Sequence, residues 1–226
     1  ETERHHGWPR RASARGFTWG KGSLTHQGKK YPVKVAGLSV AGLAVGVFTL
    51  GVARDDPGYW FAGDSALGAI ALLGAGWALI GFGLAVWWRR PGSFGPLLAA
   101  AGFAWFLLEW NNPGIGSSLA FTIGLCLYAA YAPLAAHATL AFPRGALSSN
   151  AERAGVTVAY LGGVLVLGVL PALFYDPRAA ACWECPRNLV LVTDRAELAE
   201  VLTRIGGYLG VGWAVALAAL GTVRLA

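Results

Sequence analysis

Six apolar runs dominate the chain, each close to the length of a bilayer's hydrocarbon core and almost free of charge. An α-helix rises about 1.5 Å per residue, so crossing about 30 Å of hydrocarbon takes about 20 apolar residues. The runs are Val35 to Val52, Ser65 to Trp88, Gly95 to Trp110, Ser118 to Phe142, Ala154 to Phe174 and Ile205 to Val223. The third is short and fits by tilting little or by thinning the bilayer. Composition agrees: 55% of residues are apolar and 13% charged, against roughly 25% charged in an average soluble domain. A soluble surface needs far more charge, so a disordered tail, a collagen-like chain and an ordinary soluble enzyme are excluded. The expected fold is all-α: a polytopic transmembrane helix bundle of about six spans. The first run lies too far from Glu1 to read as a cleavable signal peptide.

Basic residues orient the spans, because Lys and Arg accumulate on the cytoplasmic side. Arg4, Arg10, Arg11, Arg15, Lys21, Lys29, Lys30 and Lys34 precede the first run. Arg89 and Arg90 lie between the second and third, Arg144 and Arg153 between the fourth and fifth, and Arg224 after the sixth. That places thirteen of the eighteen Lys and Arg on one side, and nine of the twelve acids on the other. Both termini are then expected in the cytoplasm. The net charge of +6 would raise nucleic acid as a partner of a soluble protein; here membrane topology accounts for it, and the lipid bilayer is the expected partner. Trp87 and Trp88 before Arg89, Tyr59, Trp60 and Phe61 in the first outer loop, and Trp110 at the end of the third run fit headgroup anchors.

The reading divides the chain into a basic arm, 1–34, and a transmembrane domain, 35–226, with an outer loop at 175–204. The arm alternates in places and carries turn signals at Gly20, Gly22 and Gly28. That stretch resembles the opening hairpin of a small bacterial envelope β-domain; an irregular basic arm along anionic lipid is the alternative. With no Met and a start at Glu1, the sequence is expected to be part of a longer protein. Among its 32 glycines, Gly42 with Gly46 and Gly206 with Gly210 form GxxxG pairs. Such pairs let helix backbones approach, inside one bundle or between two copies.

Few residues offer chemistry. Cys182-Trp183-Glu184-Cys185 is a CxxC in the outer loop, an oxidising location. A structural disulfide is the first reading and a redox-sensing pair the second. Zinc is a third, although tetrahedral zinc wants four ligands and no further His or Cys lies on that face. Cys126 lies inside the fourth run as a small apolar side chain. His137, four residues after Pro133, and Glu109 are candidates for an intramembrane polar site. His137 is expected to bond a neighbouring helix, Pro133 to bend its own, and Glu109 to sit ionised at the outer interface. His5, His6 and His26 lie in the arm without the acidic helical context of a phosphoacceptor. Asp194 and Glu197 have the spacing to cap a helix that runs on through Leu198, Val201, Leu202 and Ile205 into the sixth span. The sequence contains no phosphate loop, nucleophile elbow or HExxH, so no catalytic residue, metal or cofactor is assigned.

Three stretches together resemble the membrane portion of actinobacterial sensor histidine kinases. Trp87-Trp88-Arg89-Arg90-Pro91-Gly92-Ser93 leads to Ala104-Trp105-Phe106-Leu107 and Glu109-Trp110-Asn111-Asn112-Pro113-Gly114. His137-Ala138-Thr139-Leu140-Ala141-Phe142-Pro143-Arg144-Gly145 is similar to an H-x-x-L-A-F-P-x-G span ending, and Cys182 to Leu189 to an outer loop of some of them. The likeness covers roughly Ala66 to Ala226. It implies the input domain of a two-component receptor, a homodimer acting on a response regulator through a kinase core that would follow the last span. The alternatives from other classes are a membrane thiol-redox protein and a small subunit of a larger membrane complex.

Overall fold

The computed structural model describes residues 23–26, 29–55, 65–89, 92–142, 145–179 and 182–225, with side chains over 37–52, 65–89, 92–142, 145–179 and 182–216. Tyr59, Trp60, Phe61, and all of the arm before Ser23 lie outside them. A short hairpin opens the described chain. Strands β1 (Ser23–His26) and β2 (Lys29–Pro32) run antiparallel, with Ser23 opposite Pro32 and His26 opposite Lys29. The irregular-arm reading therefore fails for this part. The residues on either side of Gly28 pair, and α1 starts immediately at Val33.

The remainder is helical. Every apolar run forms helix: α1 (Val33–Asp55), α2 (Ala66–Arg89), α3 (Phe94–Phe106), α4 (Ser118–Leu127) with α5 (Tyr131–Ala141), α6 (Asn150–Tyr160) with α7 (Leu170–Ala172), and α8 (Ala196–Leu225). Among the described residues two helices are long and apolar enough to cross a membrane, Ala66–Arg89 and Asn150–Ala172. The pair α4 and α5 makes a third if it is one span. Gly37–Val52 and Phe94–Glu109 are shorter apolar helices.

Local chemistry explains the breaks. The α4–α5 pair bends by 51°. Pro133, three residues into α5, offers no N–H to the carbonyl of Ala129 and crowds it. The chain answers at Tyr128–Ala130 with a tight turn in which Ala130 N–H donates to Leu127 O at 2.9 Å. The expected bend is thus present, centred one turn before the proline. Between α6 and α7, Leu161–Val169 forms nine residues of π-helix. Pro171 supplies no N–H to Leu167, and three glycines in this stretch lower its helical preference. A Cβ on Gly163 would lie 3.2 Å from Cδ of the Pro133 ring, so the two irregular segments meet. The start of α6 carries a capping box that the sequence reading missed: Ser149 Oγ accepts from Glu152 N–H at 3.1 Å and Glu152 reaches back to Ser149 N–H at 3.3 Å.

Two groups of helices pack through small residues. In the first, α1 and α3 flank α2, and α5 packs on α3; in the second, the π segment sits against α4, α6 and α8. At the α2–α3 crossing the backbones touch. A Cβ on Gly83 would lie 2.5 Å from Ala99 N and 2.7 Å from Gly95 O, and one on Gly95 would lie 2.6 Å from Gly83 O. Gly42 abuts Ile80 and Gly46 abuts Trp77, both on α2, while Gly206 abuts Leu167 of the π segment. Gly210 is looser: a Cβ there would lie 3.9 Å from Leu167. Gly42, Gly46 and Gly206 therefore sit at close contacts within this chain.

Tryptophans tie the helices together. Trp77 Nε1–H donates to Gly42 O at 3.2 Å, Trp105 to Leu72 O at 3.0 Å, and Trp213 to Gly155 O at 3.1 Å. In hydrocarbon an indole N–H has no water to turn to, so a carbonyl on the next helix is its natural partner. Trp88 is 55% exposed, whereas its neighbour Trp87 packs on the cluster of Ile80, Leu84, Ala99 and Phe106.

Candidate functional site

The CxxC forms a disulfide, Cys182 to Cys185, with Cα atoms 5.3 Å apart. The bridge is not on the surface. Cys182 and Cys185 form one apolar cluster with Val52 of α1, Ile115 of the following turn and Phe121 of α4, against Trp110, Ala120 and Leu125. Between them Trp183 is 83% exposed. The loop bonds to its own flanks as well: Cys182 N–H donates to Pro177 O at 3.0 Å and Arg178 Nε–H to Cys185 O at 3.3 Å.

Asn188 locks the next segment. Its amide donates to Ala172 O at 2.6 Å and Tyr175 O at 2.9 Å, while its Oδ1 accepts from Val190 N–H at 3.1 Å. Those carbonyls belong to the end of α7, which has no helical donors left to give. Leu189 N–H donates to Thr122 Oγ1 of α4 at 2.9 Å. The chain then runs beside the end of α7: Val192 N–H bonds Leu173 O at 2.9 Å and Arg195 N–H bonds Phe174 O at 2.9 Å. Residues 182–195 are thereby fastened to α1, α4 and α7 at once. Asn188 carried no signal in the sequence beyond its place after the CxxC.

This fastening moves the expected cap. The helix starts at Ala196, and Ala199 N–H donates to Arg195 O at 3.1 Å. Asp194 therefore stands one position too early to cap, because Arg195 is held by Phe174. The larger expectation is met: α8 is one helix of 30 residues running from the connector to Leu225.

Beneath the disulfide lies a polar seat. The turn Leu107–Glu109 ends α3 and packs on α1 and α4. Thr49, Glu109 and Asn112 are each 0% exposed. Trp110 Nε1–H donates to Thr49 Oγ1 at 3.0 Å, its ring meets Phe48 edge-on at 5.9 Å, and Asn112 Oδ1 accepts from Gly114 N–H at 2.9 Å. Glu109 is thus enclosed by protein, because the tight turn folds it inward against α1 and α4. Trp110 is likewise a bonding residue of the bundle. Trp110→Phe should remove one interhelical bond and lower stability by about 1 kcal/mol, measurable as a shift in denaturant unfolding in detergent.

His137 stands apart from Glu109. Its Nδ1 lies 3.4 Å from Tyr160 Oη of α6, with the rings edge-on at 6.0 Å. The expected contact of His137 with a neighbouring helix is present. Cys126, half-buried, is a free thiol.

Compared with known proteins, the chain matches no family model, no curated protein and no solved structure.

Proposed function

We propose that this chain is the membrane input domain of a sensor histidine kinase, with six spans, both termini cytoplasmic and the connector 175–204 outside. The observation that carries the reading is the unbroken α8. One end is held by the stapled connector and the other leads out of the bundle, about 45 Å away at about 1.5 Å per residue. A stimulus that binds two arrangements of the connector with different affinity would shift α8 between two positions. The order of the kinase-like motifs and the bias of Lys and Arg support the same reading. Val201, Ile205, Tyr208 and Val215, all exposed, run along α8 and are open to lipid or to the second copy of a homodimer. The coding sequence after Ala226 tests the proposal. A helix with a phosphoacceptor His followed by an ATP-binding domain is expected, and an immediate stop codon would remove the reading.

The thiol-redox alternative predicts a bridge that exchanges freely. Burial of both cysteines supports a structural staple instead. Thiol trapping in glutathione buffers should leave the bridge oxidised, with a potential below about −300 mV; equilibration near the glutathione potential would favour the redox protein.

A further inference from the structure

An apolar groove of about 600 Å³ opens on the side opposite the connector, between the end of α2, the start of α3 and the end of α5. Phe82, Val86, Phe94, Thr139 and Phe142 line it, and Arg89 stands with them. Phe82 and Phe142 are both more than half exposed, although Phe142 leans on Phe94 at 5.2 Å. Thr139 spends its hydroxyl hydrogen on Ala136 O of its own helix at 2.9 Å, so it offers no donor to the groove. Among the described residues the trough is therefore hydrocarbon in character, with the Arg89 cation beside it. Arg89 is exposed, and among the described residues it has no carboxylate partner; the ion pair found there joins Arg204 to Glu200. Glu152, on this same side by the charge bias, is engaged by Ser148 and Ser149.

We propose that the groove holds an anionic phospholipid, with an acyl chain along the aromatic and aliphatic wall and the phosphate on the Arg89 guanidinium. The proposal rests on the membrane reading above. An apolar trough without donors selects for a chain, and a guanidinium pairs phosphate through parallel N–H···O bonds. A zwitterionic lipid brings its own cation to compete for that phosphate, whereas an anionic one does not. One basic residue near the headgroups gives roughly a fivefold preference.

The test is lipid binding to the purified full chain in detergent micelles, read by native mass spectrometry and by the rise in unfolding temperature. Phosphatidylglycerol and phosphatidylcholine with identical chains are the probes, and inorganic phosphate is the chainless control. Wild type should retain phosphatidylglycerol about fivefold better than phosphatidylcholine. Arg89→Gln should abolish the preference while leaving the lipid-free unfolding temperature unchanged, and Arg153→Gln, at the same end, should keep it. Thr139→Phe, which fills the trough, should weaken both lipids. Inorganic phosphate should neither stabilise nor compete. A preference that survives Arg89→Gln, or competition by inorganic phosphate as strong as by the lipid, would overturn the proposal. Micelles have no sidedness, so this result is independent of orientation, which thiol labelling tests separately.

Discussion

Replacing Asn188 with Leu is expected to unfasten the outer connector and to lower stability by about 3 kcal/mol. The side chain is 9% exposed and bonds three backbone groups, two of them carbonyls at the end of α7. Leucine has the same branched outline but neither donor nor acceptor, so the site stays filled while Ala172 O, Tyr175 O and Val190 N–H lose their partner. Each buried group left unpaired costs about 1–3 kcal/mol, and partial access of water at this end of the bundle keeps the total of the three near the low end of their summed range. Hydrogen exchange should localise the effect: amides of residues 189–195 should exchange faster, and those of α2 and α3 should not. A loss below about 1 kcal/mol would mean that the disulfide alone holds the connector. On the proposed receptor reading, the same substitution should uncouple stimulus from output, because α8 would lose its fixed end.

Gly83→Leu is expected to be the more damaging change. A side chain there meets backbone, Ala99 N at 2.5 Å and Gly95 O at 2.7 Å, and backbone cannot rotate away. The two helices must separate, which forfeits the packing of Ile80, Leu84, Ala99 and Phe106 as well. Overpacking a tight core costs about 1–3 kcal/mol, and here a whole interface must open, so a loss of at least about 3 kcal/mol is expected. Gly81, two positions earlier, has nothing within 4 Å of a Cβ. Gly81→Ala should be neutral or stabilise by roughly 0.5–1 kcal/mol, because it removes a helical glycine. Unfolding titrations of both variants in detergent give the comparison directly. Equal behaviour at positions 81 and 83 would mean that α2 and α3 do not cross where the structure places them.

The helices were legible because hydropathy and length are local properties. Six runs became helices, Pro133 bent its span, and α8 continued from the connector into the last run. What pairs with what was not legible. Trp77 and Gly42 are 35 residues apart, and Trp110 and Thr49 are 61 apart. An indole in an apolar run satisfies its N–H equally well at a headgroup or on a neighbouring carbonyl, so the packing of Trp87 and Trp110 was not legible. The enclosure of Glu109 was illegible for a related reason. Its place after an apolar run does not disclose that the run ends in a tight turn, which carries the carboxyl against α1 and α4. The CxxC pattern disclosed a bridge without disclosing what the bridge rests on. Val52 comes from α1, and Ile115 and Phe121 from the turn before α4 and its first residues, all far along the chain from the CxxC; only their meeting explains why the bridge sits at the top of a buried polar seat. The cap of α8 shifted because a tertiary bond, Arg195 to Phe174, outweighed a local preference.

The central claim is that the chain crosses the bilayer repeatedly and carries its stapled connector on the outer side. Single-cysteine labelling in intact cells tests it most directly. In a Cys126→Ser background the native bridge keeps Cys182 and Cys185 unreactive, so a new thiol reports alone. Val192→Cys, on the connector and 73% exposed, should react with a membrane-impermeant maleimide in intact cells. Ala146→Cys, exposed between α5 and α6, should react only after permeabilisation. Labelling of position 146 from outside, or of position 192 only from inside, would contradict the account.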